Sequence, residues 1–123
     1  MDKFTQAYIE AAFFSSTDES TPSGGEPLDR NYSIDDLAPE TLIRIEADCA
    51  RFQADNEIPE YSKAGYSNEE FAGHDFWLTR NGHGAGFWDG DLPKDVGEKL
   101  TAAAHAFGEF YLYVGDDGRI HGC

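Results

Sequence analysis

His74, Asp75, His83, Asp89, Asp91 and His121 are residue types that ligate zinc or calcium. Zinc sites use closely spaced His and Cys pairs, and calcium loops alternate oxygen ligands around a fixed glycine. Neither pattern occurs here. Asp116-Asp117-Gly118 reads as a hairpin turn, Asp89 as a loop residue and Asp91 as a helix cap. His105, among alanines, reads as a packed or half-exposed helix residue. Gly82-His83-Gly84-Ala85-Gly86, with Arg80 beside it, has the glycine content of a phosphate cradle. It matches neither G-x-G-x-x-G nor G-x-x-x-x-G-K, and no helix follows directly to present its N-terminus. Glycines there suit a tight tip with positive φ. No G-x-S-x-G is present, and Cys49 falls on the apolar face of a helix, where a thiol is inert. With 24 acids, accidental carboxylate pairs are too common to single out a glycosidase pair. No catalytic residue, metal or cofactor is therefore expected, and a metal-assisted hydrolase ranks behind two binding readings.

Charge is the feature that remains. Nine Lys and Arg face 24 Asp and Glu, a net charge of -15. Such a chain repels nucleic acid and anionic membrane and attracts basic surfaces. Between Ser16 and Glu60, twelve acids meet only Arg30, Arg44 and Arg51, which leaves -9 of that total. A row of carboxylates along a helix would imitate duplex phosphates and occupy a cationic channel. Nine Phe, six Tyr and two Trp supply a core and argue against disorder.

The elements that must position these groups follow from pattern. At 123 residues one domain, residues 1–123, is expected. Residues 3 to 15 read as a helix with Phe4, Tyr8, Ala11 and Ser15 on one stripe and Ala7 and Phe14 beside it. Pro22, Gly24, Gly25 and Pro27 predict a long, mobile acidic loop from 16 to 32 without regular structure. A turn near Ser33 to Leu37, capped by Ser33, leads to the clearest helix. Pro39 opens it, and Ala38, Leu42, Ile45, Cys49 and Phe52 form its buried seam. Glu40, Arg44 and Asp48 are expected on its outer face. Ser67-Asn68-Glu69-Glu70 resembles a capping box for a short turn stopped by Gly73. His74 to Leu92 then reads as a β-hairpin, with Phe76-Trp77-Leu78 and Phe87-Trp88 as its arms and Gly82 to Gly86 as its tip. Strand neighbours Phe76 and Trp77 would face opposite ways, one Trp in the core and one an interface anchor. Asp91 caps a third helix with Val96, Leu100, Ala103 and Phe107 buried, ended by Gly108. Residues 110–114 and 119–121 pair around Asp116-Asp117-Gly118. The sum is an α+β fold, about three helices on one face of a small antiparallel sheet of about four strands in two hairpins. Cys49 and Cys123 read as free thiols in a reducing cytosol. The first residues lack the basic n-region and cleavage site of a signal peptide, and no stretch approaches the ~18 apolar residues of a membrane span.

HDFWLTRNGHGAGFWD, with AYIEAAFFSSTDES, GEPLDRNYSIDDLAPETL and the closing LYVGDDGRIH, resembles a family of small acidic proteins common in phages, prophages and plasmids. The resemblance covers most of the chain and implies a genomic setting without catalytic residues. Small acidic proteins of such elements are enriched in inhibitors of host defence, including anti-restriction and anti-CRISPR proteins. The first expectation is thus a non-enzymatic inhibitor in the host cytoplasm that binds a basic nucleic-acid-binding surface of a host protein or complex. Its contacts would be Asp35, Asp36, Glu40 and Asp48, with no direct nucleic acid or membrane contact and either a monomer or a dimer. The alternative is a phage accessory protein that binds a partner through the aromatic hairpin, with Trp77, Trp88 and His83 as contacts.

Overall fold

A computed structural model describes residues 1–22 and 24–123. Among the described residues there are four α-helices, α1 (Lys3–Ser15), α2 (Pro39–Asp55), α3 (Asn68–Arg80) and α4 (Lys94–His105). Two separate antiparallel pairs accompany them, β1 (Thr17–Asp18) with β2 (Glu26–Pro27) and β3 (Leu112–Val114) with β4 (Ile120–Gly122). The α+β class stands, but the four strands form two small pairs instead of one sheet. No helix among the described residues is long and apolar enough to cross a membrane.

The helix starts follow from side chains that satisfy open backbone N–H groups. The Asp2 carboxylate accepts the Thr5 N–H at 2.8 Å and opens α1. Pro39 begins α2, which buries Thr41, Ile45, Cys49 and Phe52. Leu42, placed in that seam, is only half-buried. In α1 the buried stripe is shifted from the expected one. Ala12 and Phe13 turn inward, and Phe14 is 73% exposed. Within 16–22 and 24–32, two short strands and a 3-10 turn stand where no regular structure was expected; Ser23, part of the expected loop, lies outside the described residues. Thr17 pairs with Pro27 and Asp18 with Glu26, and Leu28 is fully buried in the short 3-10 turn Leu28–Arg30. Pro27 is tolerated because it sits in a two-stranded ribbon, where every strand is an edge. Pro93, not Asp91, occupies the position before α4, and the buried residues of that helix are Gly97, Leu100 and Ala104.

The largest correction concerns the segment from His74 to Leu92. Its first half is helix α3, opened by the reciprocal Ser67–Glu70 capping box and running through Gly73 to Arg80. Phe76 and Trp77 are both fully buried, because α3 is covered on most of its circumference. Trp77 meets Tyr8 edge-on at 5.4 Å and donates its indole N–H to Ser15 Oγ at 2.7 Å. Phe76 stacks on Phe52 at 4.3 Å, and Phe52 lies parallel to Phe87 at 5.7 Å. The second half is an irregular loop tied to the end of α3. Phe87 N–H donates to Thr79 Oγ1, and Phe110 N–H to Asn81 Oδ1. Gly86, at φ +156°, leaves room for the Thr79 hydroxyl, which would lie 2.2 Å from an added Cβ.

Gly73 is a contact residue where a helix stop was expected. A Cβ placed there would lie 2.2 Å from the Phe4 carbonyl oxygen, at the closest approach of α1 and α3. Both atoms belong to rigid helical backbone, so Gly73→Ala must push the helices apart. A destabilisation of about 1–3 kcal/mol, the usual cost of overpacking, is expected in urea unfolding. An unchanged midpoint would show that the two helices need not approach so closely.

Candidate functional site

Carboxylates gather where the N-terminus of α2 docks on β4. Ala38 N–H donates to Ile120 O at 2.9 Å, and Leu37 bridges Ile120 in parallel register. This brings the 3-10 turn Ile34–Asp36 and the first turn of α2 beside the β3–β4 turn. His121 joins the two sides. Its Nδ1 lies 3.7 Å from Glu40 Oε1, and its Nε2 lies 3.0 Å from Asp117 Oδ1. Tyr113 lies along the imidazole, 5.7 Å between ring centres. The Arg119 N–H and the imidazole hold the Asp117 carboxyl below its usual range. The Asp36 carboxylate accepts the Ser33 N–H at 2.8 Å, completing the expected cap. Asp35 and Asp116 are exposed. Three segments thus bring Asp35, Asp36, Glu40, Asp116 and Asp117 to one end of the molecule.

Asp48 does not join them. It is half-buried, and its carboxylate lies 3.0 Å from Nη1 of Arg80. The outward face of α2 carries Ile43, Ala47, Ala50 and Ala54 with Arg44 and Arg51, all exposed. Arg51 also reaches Asp55 at 3.8 Å. The exposed carboxylates of α2, Glu40, Glu46 and Asp55, are interspersed with these apolar and cationic residues and form no continuous row. Arg80, placed by sequence near a phosphate-like tip, points into the protein. It donates to Gly108 O, Phe107 O and the Tyr8 hydroxyl as well as to Asp48. Its side chain is fully buried, so it is not presented to an anion at the surface.

The metal-type residues are dispersed. Asp75 is buried and accepts the Tyr61 hydroxyl at 2.7 Å. Asp91 pairs with Lys63 at 2.6 Å. His74 faces Glu10 at 4.0 Å, and burial holds its imidazole below the ordinary His range. Among the described residues no group of three His, Cys, Asp or Glu side chains is arranged to hold a metal ion. Both cysteines are free thiols, and burial drives the Cys49 thiol well above its ordinary pKa.

His83 and Trp88, expected together on a hairpin, line different clefts. His83 borders an opening of about 750 Å³ between α1 and α3. Trp88 is 54% exposed and borders a smaller one of about 330 Å³ beside α4. Sequence reasoning missed the first cleft because its aromatic residues, Phe14 and Tyr66, come from two segments with no shared pattern. It also missed the Tyr61–Asp75 and Arg80–Asp48 pairs, whose partners lie far apart in the chain. Comparisons with protein-family models, curated proteins and solved structures gave no match.

Proposed function

We propose that this protein is a non-enzymatic inhibitor that presents its acidic end to a basic, nucleic-acid-binding surface of a host defence protein or complex. The observation that carries the reading is the approach of Glu40 and Asp117 to His121, with Asp35, Asp36 and Asp116 on the adjoining segments. Their spacing in the chain is irregular, but backbone hydrogen bonds between the α2 start and β4 hold their segments together. Fixed carboxylates of this kind attract a cationic groove without having to be ordered on binding. Arg119, exposed in the β3–β4 turn, and Arg44 of α2 are the cations nearest these acids in the chain, whereas Arg80 is internal and Lys63 pairs with Asp91 elsewhere. The likeness to mobile-element proteins supports a host defence component as the target.

The test is capture of the partner from host lysate, followed by displacement with duplex DNA. Raising NaCl from about 0.05 M to about 0.5 M should weaken the complex by a factor on the order of 100. The combined Asp35→Asn, Glu40→Gln and Asp116→Asn variant should show the same weakening at low salt. An affinity indifferent to salt and to that variant would remove the charge-based reading. The exposure of Trp88 favours a second reading, an aromatic anchor for a phage partner. In that case Trp88→Ala alone abolishes capture while the triple variant is neutral.

A further inference from the structure

The cleft between α1 and α3 combines an apolar floor, exposed aromatic rings and uncompensated carboxylates. Its volume, about 750 Å³, falls within the range of small-ligand sites, roughly 300–1,000 Å³. Leu78 and the small side chains of Ala11 and Ala85 leave the space open. Phe14 stands 73% exposed at one edge. Tyr66 is held edge-on against His74 at 5.1 Å and Phe71 at 5.5 Å, so its ring has a fixed direction. Glu10 and Asp29 reach the cleft, and no Lys or Arg lines it. Burial keeps His74 neutral at neutral pH, so it does not cancel the nearby Glu10 charge.

We infer that this cleft seats an arginine side chain offered by a basic protein partner. The inference rests on the proposed function only in taking the partner surface to be basic. The methylene stem would lie along Leu78 and Phe14, and the guanidinium would stack on Tyr66 within reach of the two carboxylates. Arginine fits better than lysine, because a planar, weakly hydrated guanidinium stacks on aromatic rings and bonds carboxylates through two donors. A phosphate or other anion is repelled by the same pair of acids.

Labelled nona-arginine and nona-lysine peptides, titrated against the full chain by fluorescence anisotropy, test this. The wild type should prefer nona-arginine by about five-fold. Phe14→Ala with Tyr66→Ala should erase that preference and leave nona-lysine binding unchanged. Both side chains are more than half exposed, and because Tyr66 also lies against Phe71, matched thermal unfolding checks that the fold is retained. The Asp35→Asn, Glu40→Gln and Asp116→Asn variant should instead weaken both peptides alike. If the arginine preference is missing in the wild type, or survives loss of both rings, the cleft assignment is wrong. The function reading then still stands, provided the acidic-end variant weakens both peptides. If neither peptide binds the wild type, both readings fall.

Discussion

Replacing Arg80 with methionine is expected to destabilise the protein by about 3–5 kcal/mol, the range for breaking a buried charge pair by removing one partner. The Arg80 side chain is 0% exposed, and its three nitrogens tie α3 to α1, α2 and the turn after α4. Nε donates to Gly108 O at 2.8 Å, and Nη2 to Phe107 O at 3.2 Å. These carbonyls lie just past the end of α4, where no helical N–H reaches them. Nη1 donates to Tyr8 of α1 and Asp48 of α2 at 3.1 and 3.0 Å. Phe76, Phe107 and Phe110 surround the guanidinium at about 5.5 Å, so water has no easy access to the vacated site. Methionine fills much of the volume and supplies no donor. Arg80→Lys should recover little, since one ammonium cannot span acceptors that a planar fork reaches from three nitrogens. Asp48→Asn keeps an acceptor and should cost less than either. Urea unfolding of the three variants gives the order directly. A loss below about 1 kcal/mol for Arg80→Met would mean that the freed carbonyls find water, and that Arg80 is not the junction described.

Arg80 also shows where a linear reading of this chain fails. In sequence it sits beside Gly82-His83-Gly84, and proximity suggested a role at a glycine-rich tip. Its partners come from α1, α2 and the turn after α4, none visible in local pattern. The helices that were legible, α1, α2 and α4, each expose one side and start beside Asp2, Pro39 or Pro93. The β3–β4 pair was legible through Asp116-Asp117-Gly118, whose glycine adopts φ +76°. Helix α3 was not. Buried on most sides, it has no polar face to set a 3.6-residue period, and its Phe and Trp mimic a strand. The capping box at Ser67 and Glu70 does mark its start, and Gly73 makes the helix look like a short turn. Tertiary contact explains that glycine: α1 leaves no room for a Cβ. Among the candidate contacts, carboxylate abundance was visible in the sequence, but the pairing of Leu37 with Ile120 that gathers some acids was not. Asp48 fell on the expected line along α2 and was drawn inward by a counter-ion from another helix.

Asp75→Asn is expected to stabilise the protein at pH 7.5 and leave it nearly unchanged at pH 4, opposite to the effect at Asp48. Asp75 lies on α3 with 7% of its surface exposed, and it accepts the Tyr61 hydroxyl at 2.7 Å. Burial raises its pKa from 3.8 to about 6, against the lowering effect of the Tyr61 hydrogen bond and with the Asp89 charge adding to the rise. The folded protein therefore holds this proton to a higher pH than the unfolded chain does. Its contribution is most favourable below 3.8 and is lost as pH climbs through about 6, because the fold must then bury a charge. The distance between those two values corresponds to roughly 3 kcal/mol at alkaline pH. Asparagine has nearly the same shape, still accepts from Tyr61 through Oδ1, and never ionises. Its amide N–H must find an acceptor or water, which lowers the expected gain to about 1–3 kcal/mol. Chemical unfolding of wild type and variant at both pH values measures the difference. A variant equally destabilised at pH 4 and pH 7.5 would show that Asp75 acts only through hydrogen bonding. Convergence at pH 4, with the variant ahead at pH 7.5, would identify it as a carboxyl whose proton the fold holds to about pH 6. Tyr61→Phe supplies the complementary arm. It removes the one hydrogen bond that opposes the rise, so in that variant the loss should still set in near 3.8 but continue to a higher pH and be larger than in the wild type.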